Sequence, residues 1–511
     1  MESASLADGG GITVEKPKLK ANAIGFVSNI VIGVASVAPG YSLAATLGFI
    51  AAISGLGFQA PAAILVAFFP MAAIALAYYF LNKADPDCGT TFSWMTKAMG
   101  PIWGWQGGWA IVVADVLVMP NLAQIAGQYT MSLFGDGSPS NTVVMFVGIA
   151  WIILMTAICY IGIELNARTQ RVLLALEFII LVIFAVVALI KVYTGHPVHS
   201  VHPNISWFNP FAIKGGVTAL NGGLLLAIFL YWGWDSGVSV NEETENSTEA
   251  PGRAALVSNV VLVGIYLLVT VAVMAYGGLG NLINHPYDVF SPLGHSVFGS
   301  GLDKILTLAI LSSASASTQT TILPTARTTL SMGRAGAIPG KFGEIHPRFL
   351  SPGFSTIWMG TVSTILYVVF MLTSTNLIAD AFTSLAITIA FYYGFSGYAC
   401  IIYYRKQLFQ SWRKFVTLCL IPGLAAVFLS WIIVKAFITY SAGNGGYAKP
   451  IFGIGSPVAI ALLMIILGLV GMLIQRVTMP EFFRRKREIA PAHVLDGDAI
   501  AVGRHAGRHA S

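Results

Sequence analysis

Twelve apolar runs follow one another along this chain, each long enough for the roughly 20 residues that a helix needs to cross a bilayer. They lie near 24–52, 58–81, 103–133, 142–162, 172–193, 216–240, 255–279, 304–329, 355–373, 376–403, 415–437 and 456–475. In hydrocarbon a backbone N–H or C=O finds no water, so spanning segments pair these groups internally. The runs therefore predict an all-α integral membrane protein with 12 transmembrane helices. Composition agrees. Charged residues make up 10% of the 511, against about 25% in soluble domains.

The net charge of +6 follows from topology and not from a nucleic-acid partner. With the N-terminus inside, 23 of the 28 Lys and Arg residues fall on the cytoplasmic side, and Lys191, Lys214, Lys304, Lys435 and Lys449 fall on the other. This bias predicts a multi-pass protein of the cell membrane with both termini cytoplasmic. The polar first 20 residues predict a cytoplasmic tail without a cleavable signal. The segment 479–511 opens on a basic cluster, Arg484 to Arg487, expected at anionic headgroups, and continues as a disordered tail. Cys88, Cys159, Cys400 and Cys419 share no close spacing and read as reduced packing residues. His196, His199 and His202 read as a solvated outer loop, and His505 and His509 as tail residues.

Two spans are interrupted. The first contains Gly33-Val-Ala-Ser36-Val-Ala-Pro39-Gly40, and the sixth contains Tyr231-Trp-Gly233-Trp-Asp235-Ser-Gly237. Membranes tolerate broken helices where the backbone lines a cavity, and an ionisable residue at such depth is a functional candidate. Breaks opening each of two five-helix blocks suggest an inverted repeat. The expected organisation is a tail (1–20), a first repeat (21–195), a second repeat (214–405), two further helices (412–478) and the basic tail (479–511).

Three longer stretches carry a family resemblance. Pro86-Asp-Cys-Gly89 runs through Phe92 and Gly100-Pro101 to Trp109; Asp235, Glu242, Glu243, Asn246 and Pro251 follow the sixth-span break; Met332-Gly-Arg334 leads through Pro339, Phe342 and His346-Pro-Arg348 to Pro352. Together they resemble the motifs of amino-acid permeases of the amino acid–polyamine–organocation superfamily, in collinear order from residue 22 to about 405. The resemblance implies a fold like that of the leucine and sodium symporters, two inverted five-helix repeats plus two helices. Phe92 replaces a tyrosine, Ser247 a proline, Ala335 an aspartate and Ala35 a glycine of the family pattern.

A zwitterion in a bilayer needs partners for both ends. The break in the first span, at Gly33, Ala35, Ser36, Val37 and Ala38, is expected to free N–H groups at the start of a second half-helix, an end that suits a carboxylate. Pro39 fits its first turn. In the sixth span, carbonyls near Trp232 and Gly233 are expected to face an ammonium, with Tyr231, Trp232 and Trp234 as an aromatic wall. Asp235 reads first as a structural or gating acid and second as a direct ligand. Both segments are expected to be unwound, over 34–38 and 233–237, and to face each other.

Asp115 in the third span and Glu177 in the first turns of the fifth are the candidate proton-coupling acids, since burial and like charge favour a protonated carboxyl. Many relatives carry lysine where Glu177 stands, a lysine thought to replace a bound sodium. A second reading of Glu177, equally weighted, is an interfacial acid beside Arg171. Ser315, Ser317 and Thr318 in the eighth span offer hydroxyls for a sodium ion, or hydrogen bonds between helices.

The sequence thus predicts a secondary transporter importing an amino acid or related amine by proton symport with alternating access. A sodium-coupled symporter and an amino-acid or polyamine exchanger are the alternatives. No cofactor, no enzymatic nucleophile–base pair and no nucleic-acid partner is expected. A channel needs no occludable pair of broken helices, and a sensor calls for a soluble output domain that neither tail has the length to supply.

Overall fold

The computed structural model describes residues 17–135, 138–195, 197–286, 289–299, 302, 304–442 and 448–488. His196, His505, His509 and the ends of both tails lie outside them. Within these residues the apolar runs fold as helices: α1 (Phe26–Val37), α2 (Pro39–Ala52), α3 (Ala60–Ala84), α4 (Thr91–Met99), α5 (Pro101–Leu133), α6 (Asn141–Ile161), α7 (Ile163–Thr194), α8 (Gly216–Leu230) and α9 (Ser236–Ser239). The second half continues with α10 (Ala250–Asn284), α11 (Ser291–Phe298), α12 (Lys304–Arg334), α13 (Gly353–Thr373), α14 (Thr375–Tyr403), α15 (Trp412–Phe415), α16 (Ile421–Tyr440), α17 (Ser456–Thr478) and α18 (Pro480–Phe483).

Among the described residues ten helical segments are long and apolar enough to cross a membrane, with α1 and α2 counted as one and α15 joined to α16. Two of the twelve expected spans fall short for separate reasons. The sixth is divided, so its first piece, α8, has only 15 residues. The eighth, α12, has 31 residues, but its run of Ser and Thr from Ser312 to Thr321 lowers its hydropathy. Those hydroxyls are buried inside the bundle. The fifth span starts at Ile163, after Gly162 at φ 133°, nine residues before the hydropathy suggested. Its polar first turns are helical even though they are not apolar. Glu177 therefore lies midway along α7 and not in its first turns.

The motif residues converge at one end of the bundle. The Cys88 N–H donates to Glu242 (3.1 Å), and the Arg334 guanidinium donates to the same carboxylate (2.9 Å). Asn241 donates to Asn82 and to the Asp87 carbonyl, while Ser331 donates to Asp87 Oδ1. The three stretches of the resemblance thus form one hydrogen-bonded lock. Asp87, Cys88 and Glu242 bring ligand-type atoms within 4.8 Å of one another. With Arg334 on Glu242 and Ser331 on Asp87, the cluster is held by protein partners.

Phe482 of α18 is buried and stacks on Phe92 (centroids 5.7 Å) in a cluster with Trp105 and Met332. Beyond it Arg485 donates to the Ala335 carbonyl (2.7 Å), and the Glu488 N–H to the Lys97 carbonyl (2.7 Å). The segment expected at headgroups is, through Glu488, docked on the bundle. Phe92 and Ala335, two departures from the family pattern, both touch it. Cys88, Cys159 and Cys400 are buried and all four cysteines are free thiols.

Burial alone would push the Glu242 carboxyl up, but Arg334 and the Cys88 N–H outweigh it and hold the group below its ordinary 4.5. A depressed folded-state pKa stabilises the protein above the unfolded value, and the contribution disappears as pH falls through the folded value. Melting temperature is expected to drop on acidification below pH 4.5, with a shallower drop in Glu242→Gln. Superimposable melting–pH curves for the two proteins would remove the lock from acid stability.

Candidate functional site

The first span breaks at one residue. Ala38 adopts the left-handed conformation (φ 51°, ψ 67°), and Pro39 opens α2 at a position where its missing N–H costs nothing. Residues 34–37, expected to be unwound, are the last turn of α1. The sixth span unwinds over 231–235, two residues earlier than expected, with Gly233 at φ 117°, and α9 resumes at Ser236.

The two breaks do face each other. Ser36 Oγ and Ser236 Oγ share a hydrogen bond of 2.8 Å. A Cβ on Gly233 would stand 3.0 Å from the Ser36 carbonyl, and one on Gly237 would stand 2.6 Å from the Asn29 carbonyl. Glycine is what lets these backbones touch. Gly33 meets the Trp234 carbonyl in the same way.

The start of α2 is already supplied with acceptors. The Gly40 N–H donates to Glu177 Oε1 at 2.6 Å, the Tyr41 N–H to Ser313 Oγ at 3.1 Å, and the Ser42 N–H to the Ala38 carbonyl at 2.8 Å. Ser313 in turn donates to Glu177 Oε1 (2.9 Å). Glu177 is fully buried, so the interfacial reading beside Arg171 does not describe it. Its Oε2 has no hydrogen-bond partner among the described residues.

The aromatic residues of the sixth-span break diverge instead of forming one wall. Tyr231 donates to the Ile64 carbonyl and packs edge-on against Tyr266. Trp232 donates to Tyr392 (2.5 Å). Trp234 is fully buried, stacked on Tyr393 (5.1 Å) and edge-on to Tyr78 (5.0 Å), and its Nε1 is unpartnered among the described residues. Asp235 accepts from Tyr393 (2.7 Å) and Tyr392 (3.4 Å). These bonds tie the sixth-span break to α14. The Tyr231 and Trp232 carbonyls receive no hydrogen bond among the described residues, while the Gly233 carbonyl accepts from the Ser236 N–H.

Asp115 on α5 accepts from Thr325 on α12 (2.6 Å). Of the sodium candidates, Ser317 donates to the Ser36 carbonyl (3.0 Å), Thr318 donates within its own helix, and Ser315 Oγ is buried without a partner among the described residues. Sequence reasoning missed Tyr78, Tyr392, Tyr393 and Asn121, which bonds the Tyr41 hydroxyl. Tyr392 and Tyr393 form a doublet within a span, but no spacing relates them to Asp235, 157 residues away.

Replacing Trp232 by Phe keeps an aromatic ring, smaller than the indole, and removes the bond to Tyr392. A loss of about 1 kcal/mol of stability is expected, together with weaker substrate binding, because Tyr392 also contacts Asp235. Binding and melting measured on the same purified variant separate the two effects. Unchanged binding would make Trp232 a packing residue only.

The sequence profile of the amino acid permease family matches residues 22–467. The chain is 24% identical over 315 residues to the branched-chain amino acid permease BcaP of Lactococcus lactis subsp. cremoris, covering 58% of this chain and 64% of that one. It is 22% identical over 397 residues to the branched-chain amino acid permease BcaP of Bacillus subtilis, covering 72% and 80%. It is 23% identical over 329 residues to the methylthioribose transporter of Bacillus subtilis, covering 60% and 66%. The chain thus spans less than two thirds of the Lactococcus protein.

Proposed function

The chain belongs to the amino acid permease family, and on that premise we propose that it is a secondary transporter importing an amino acid or related amine by proton symport. The observation that carries this reading is the pair of facing helix breaks, at Ala38 and at 231–235, bridged by Ser36 and Ser236 and set beside the buried acids Glu177 and Asp235. Such a junction can open to either side by hinging at the breaks, which is the requirement of alternating access. The two five-span blocks serve as the rocking units, with α16 and α17 outside them and both termini on the cytoplasmic side of the cell membrane. The similar proteins are named for branched-chain amino acids and for methylthioribose, so a relative's name does not transfer its substrate.

Glu177 and Asp115 are the proposed proton-coupling acids. A sodium-coupled reading has one observation in its favour: the orphaned Ser315 hydroxyl on α12, two residues from Ser317, which touches the Ser36 carbonyl. Uptake into proteoliposomes, screened over amino acids and amines with the pH and sodium gradients varied separately, tests the function. Accumulation that follows an inside-alkaline gradient without sodium is expected. Accumulation that follows sodium at fixed pH moves coupling to Ser315, Ser317 and Thr318, and strict one-for-one exchange makes the protein an exchanger.

A further inference from the structure

The fit between substrate and site is constrained by what the protein has already put there. A broken helix offers a carboxylate its first-turn N–H groups, which carry partial positive charge. Here Pro39 has none to offer. Gly40 gives its N–H to Glu177, Tyr41 to Ser313, and Ser42 to Ala38. The Glu177 carboxylate reaches this end from α7, 137 residues away in sequence. It is therefore a tertiary ligand, in the place where a bound carboxylate would lie. A Cβ on Gly40 would come within 3.3 Å of Glu177 Oε1, so the carboxylate sits closely over the turn.

The balance of buried charge points the same way. Asp115, Glu177, Asp235, Glu243 and Asp380 are buried, while Arg327 is the one buried cation among the described residues, and it is paired with Glu243 at 2.8 Å. An incoming anion meets Glu177 and Asp235 with no buried cation free to face it among the described residues. An incoming ammonium meets the open carbonyls of Tyr231 and Trp232, the nearby rings and the Asp235 carboxylate. Two donors near the breaks are unpartnered among the described residues, Trp234 Nε1 and the Ser315 hydroxyl, and both are neutral. Buried charge is costly unless paired, so a cation is the ligand that relieves this site.

We propose that Glu177 is a specificity-determining residue: it occupies the end of α2 that would hold a substrate carboxylate, and the site takes an amine without a free carboxylate in preference to the matching α-amino acid. This rests on the transport reading above and selects within it.

Matched pairs test it, each an amino acid and its decarboxylated amine: leucine with isoamylamine, lysine with cadaverine, arginine with agmatine. Binding to the purified full-length protein and competition for uptake in proteoliposomes are measured for both members. For the pair whose side chain fits, the amine is expected to bind at least about ten-fold tighter than the amino acid. Glu177→Ala frees the Gly40 N–H and should shrink that ratio about ten-fold by strengthening amino-acid binding. Glu177→Gln retains an oxygen that accepts from Gly40 and Ser313, so the amino acid should stay weak. If Glu177→Ala does not fold, the wild-type ratio and the Gln variant still decide. A wild type that prefers the amino acid overturns this inference and leaves the transport reading standing. A wild type that binds and moves neither member of any pair, nor any compound of the wider amino-acid and amine screen, overturns the transport reading itself.

Discussion

Glu177→Gln is expected to bind and exchange substrate at near wild-type rates while losing accumulation driven by a pH gradient. The reason lies in how the carboxylate is held. Both of its hydrogen bonds, from the Gly40 N–H and from Ser313, fall on Oε1, and Oε2 is unpartnered among the described residues. A proton can therefore sit on Oε2 without breaking either contact, so charge changes at the α1–α2 break while geometry is kept. The glutamine amide copies the protonated form: its oxygen accepts the same two bonds and its charge is fixed at zero. One coupled proton and a gradient of one pH unit support about ten-fold accumulation. In the variant that ratio should fall to about one, with counterflow of labelled substrate preserved. Full pH-driven accumulation in Glu177→Gln would end the role of this residue as the proton carrier and leave Asp115 as the next acid to examine.

A second large effect is expected at the lock. Arg327 Nε and Nη2 both approach Glu243 Oε2, at 2.9 and 2.8 Å, and each side chain is 1% exposed. A buried pair of this kind is weak evidence of net stabilisation, because desolvation offsets the attraction. Removing one member is another matter, since it strands a charge where no water reaches. Arg327→Ala is expected to cost about 3–5 kcal/mol, enough to deplete folded protein in the membrane. Adding Glu243→Gln to the Arg327→Ala chain removes the stranded charge and should return a large part of the loss. Thermal melts of wild type, both single variants and the double variant complete the cycle. If the double variant is no more stable than Arg327→Ala, charge stranding is not the cause and packing around Arg327 is.

Much of the candidate site was legible before any tertiary structure. The two breaks were readable because proline and glycine act locally: Pro39 cannot donate, and Gly233 accepts a positive φ. The breaks came out shifted, to Ala38 alone and to 231–235, because the helical hydrogen bond continues until a residue refuses it, and Val34 to Val37 do not. Burial of Asp115 and Asp235 was also readable from apolar surroundings, whereas for Glu177 burial was one of two equally weighted readings. The limits of α7 were misjudged, since hydropathy marks where a helix is greasy and not where it starts.

The sequence by itself determined an all-α membrane chain, the two interrupted spans, the three motif stretches and their family. The first two follow from composition or from chemistry confined to a few adjacent residues, and the family follows from the resemblance that the motif stretches carry. Only the tertiary structure decided that the motifs meet in one lock through Glu242 and Arg334, that Asp235 is tied to Tyr392 and Tyr393, and that Glu177 rests on the Gly40 N–H. Those contacts join residues 92 to 158 positions apart. They depend on how each helix is rotated about its axis, and that rotation is set by packing between helices, which no local pattern in the chain encodes.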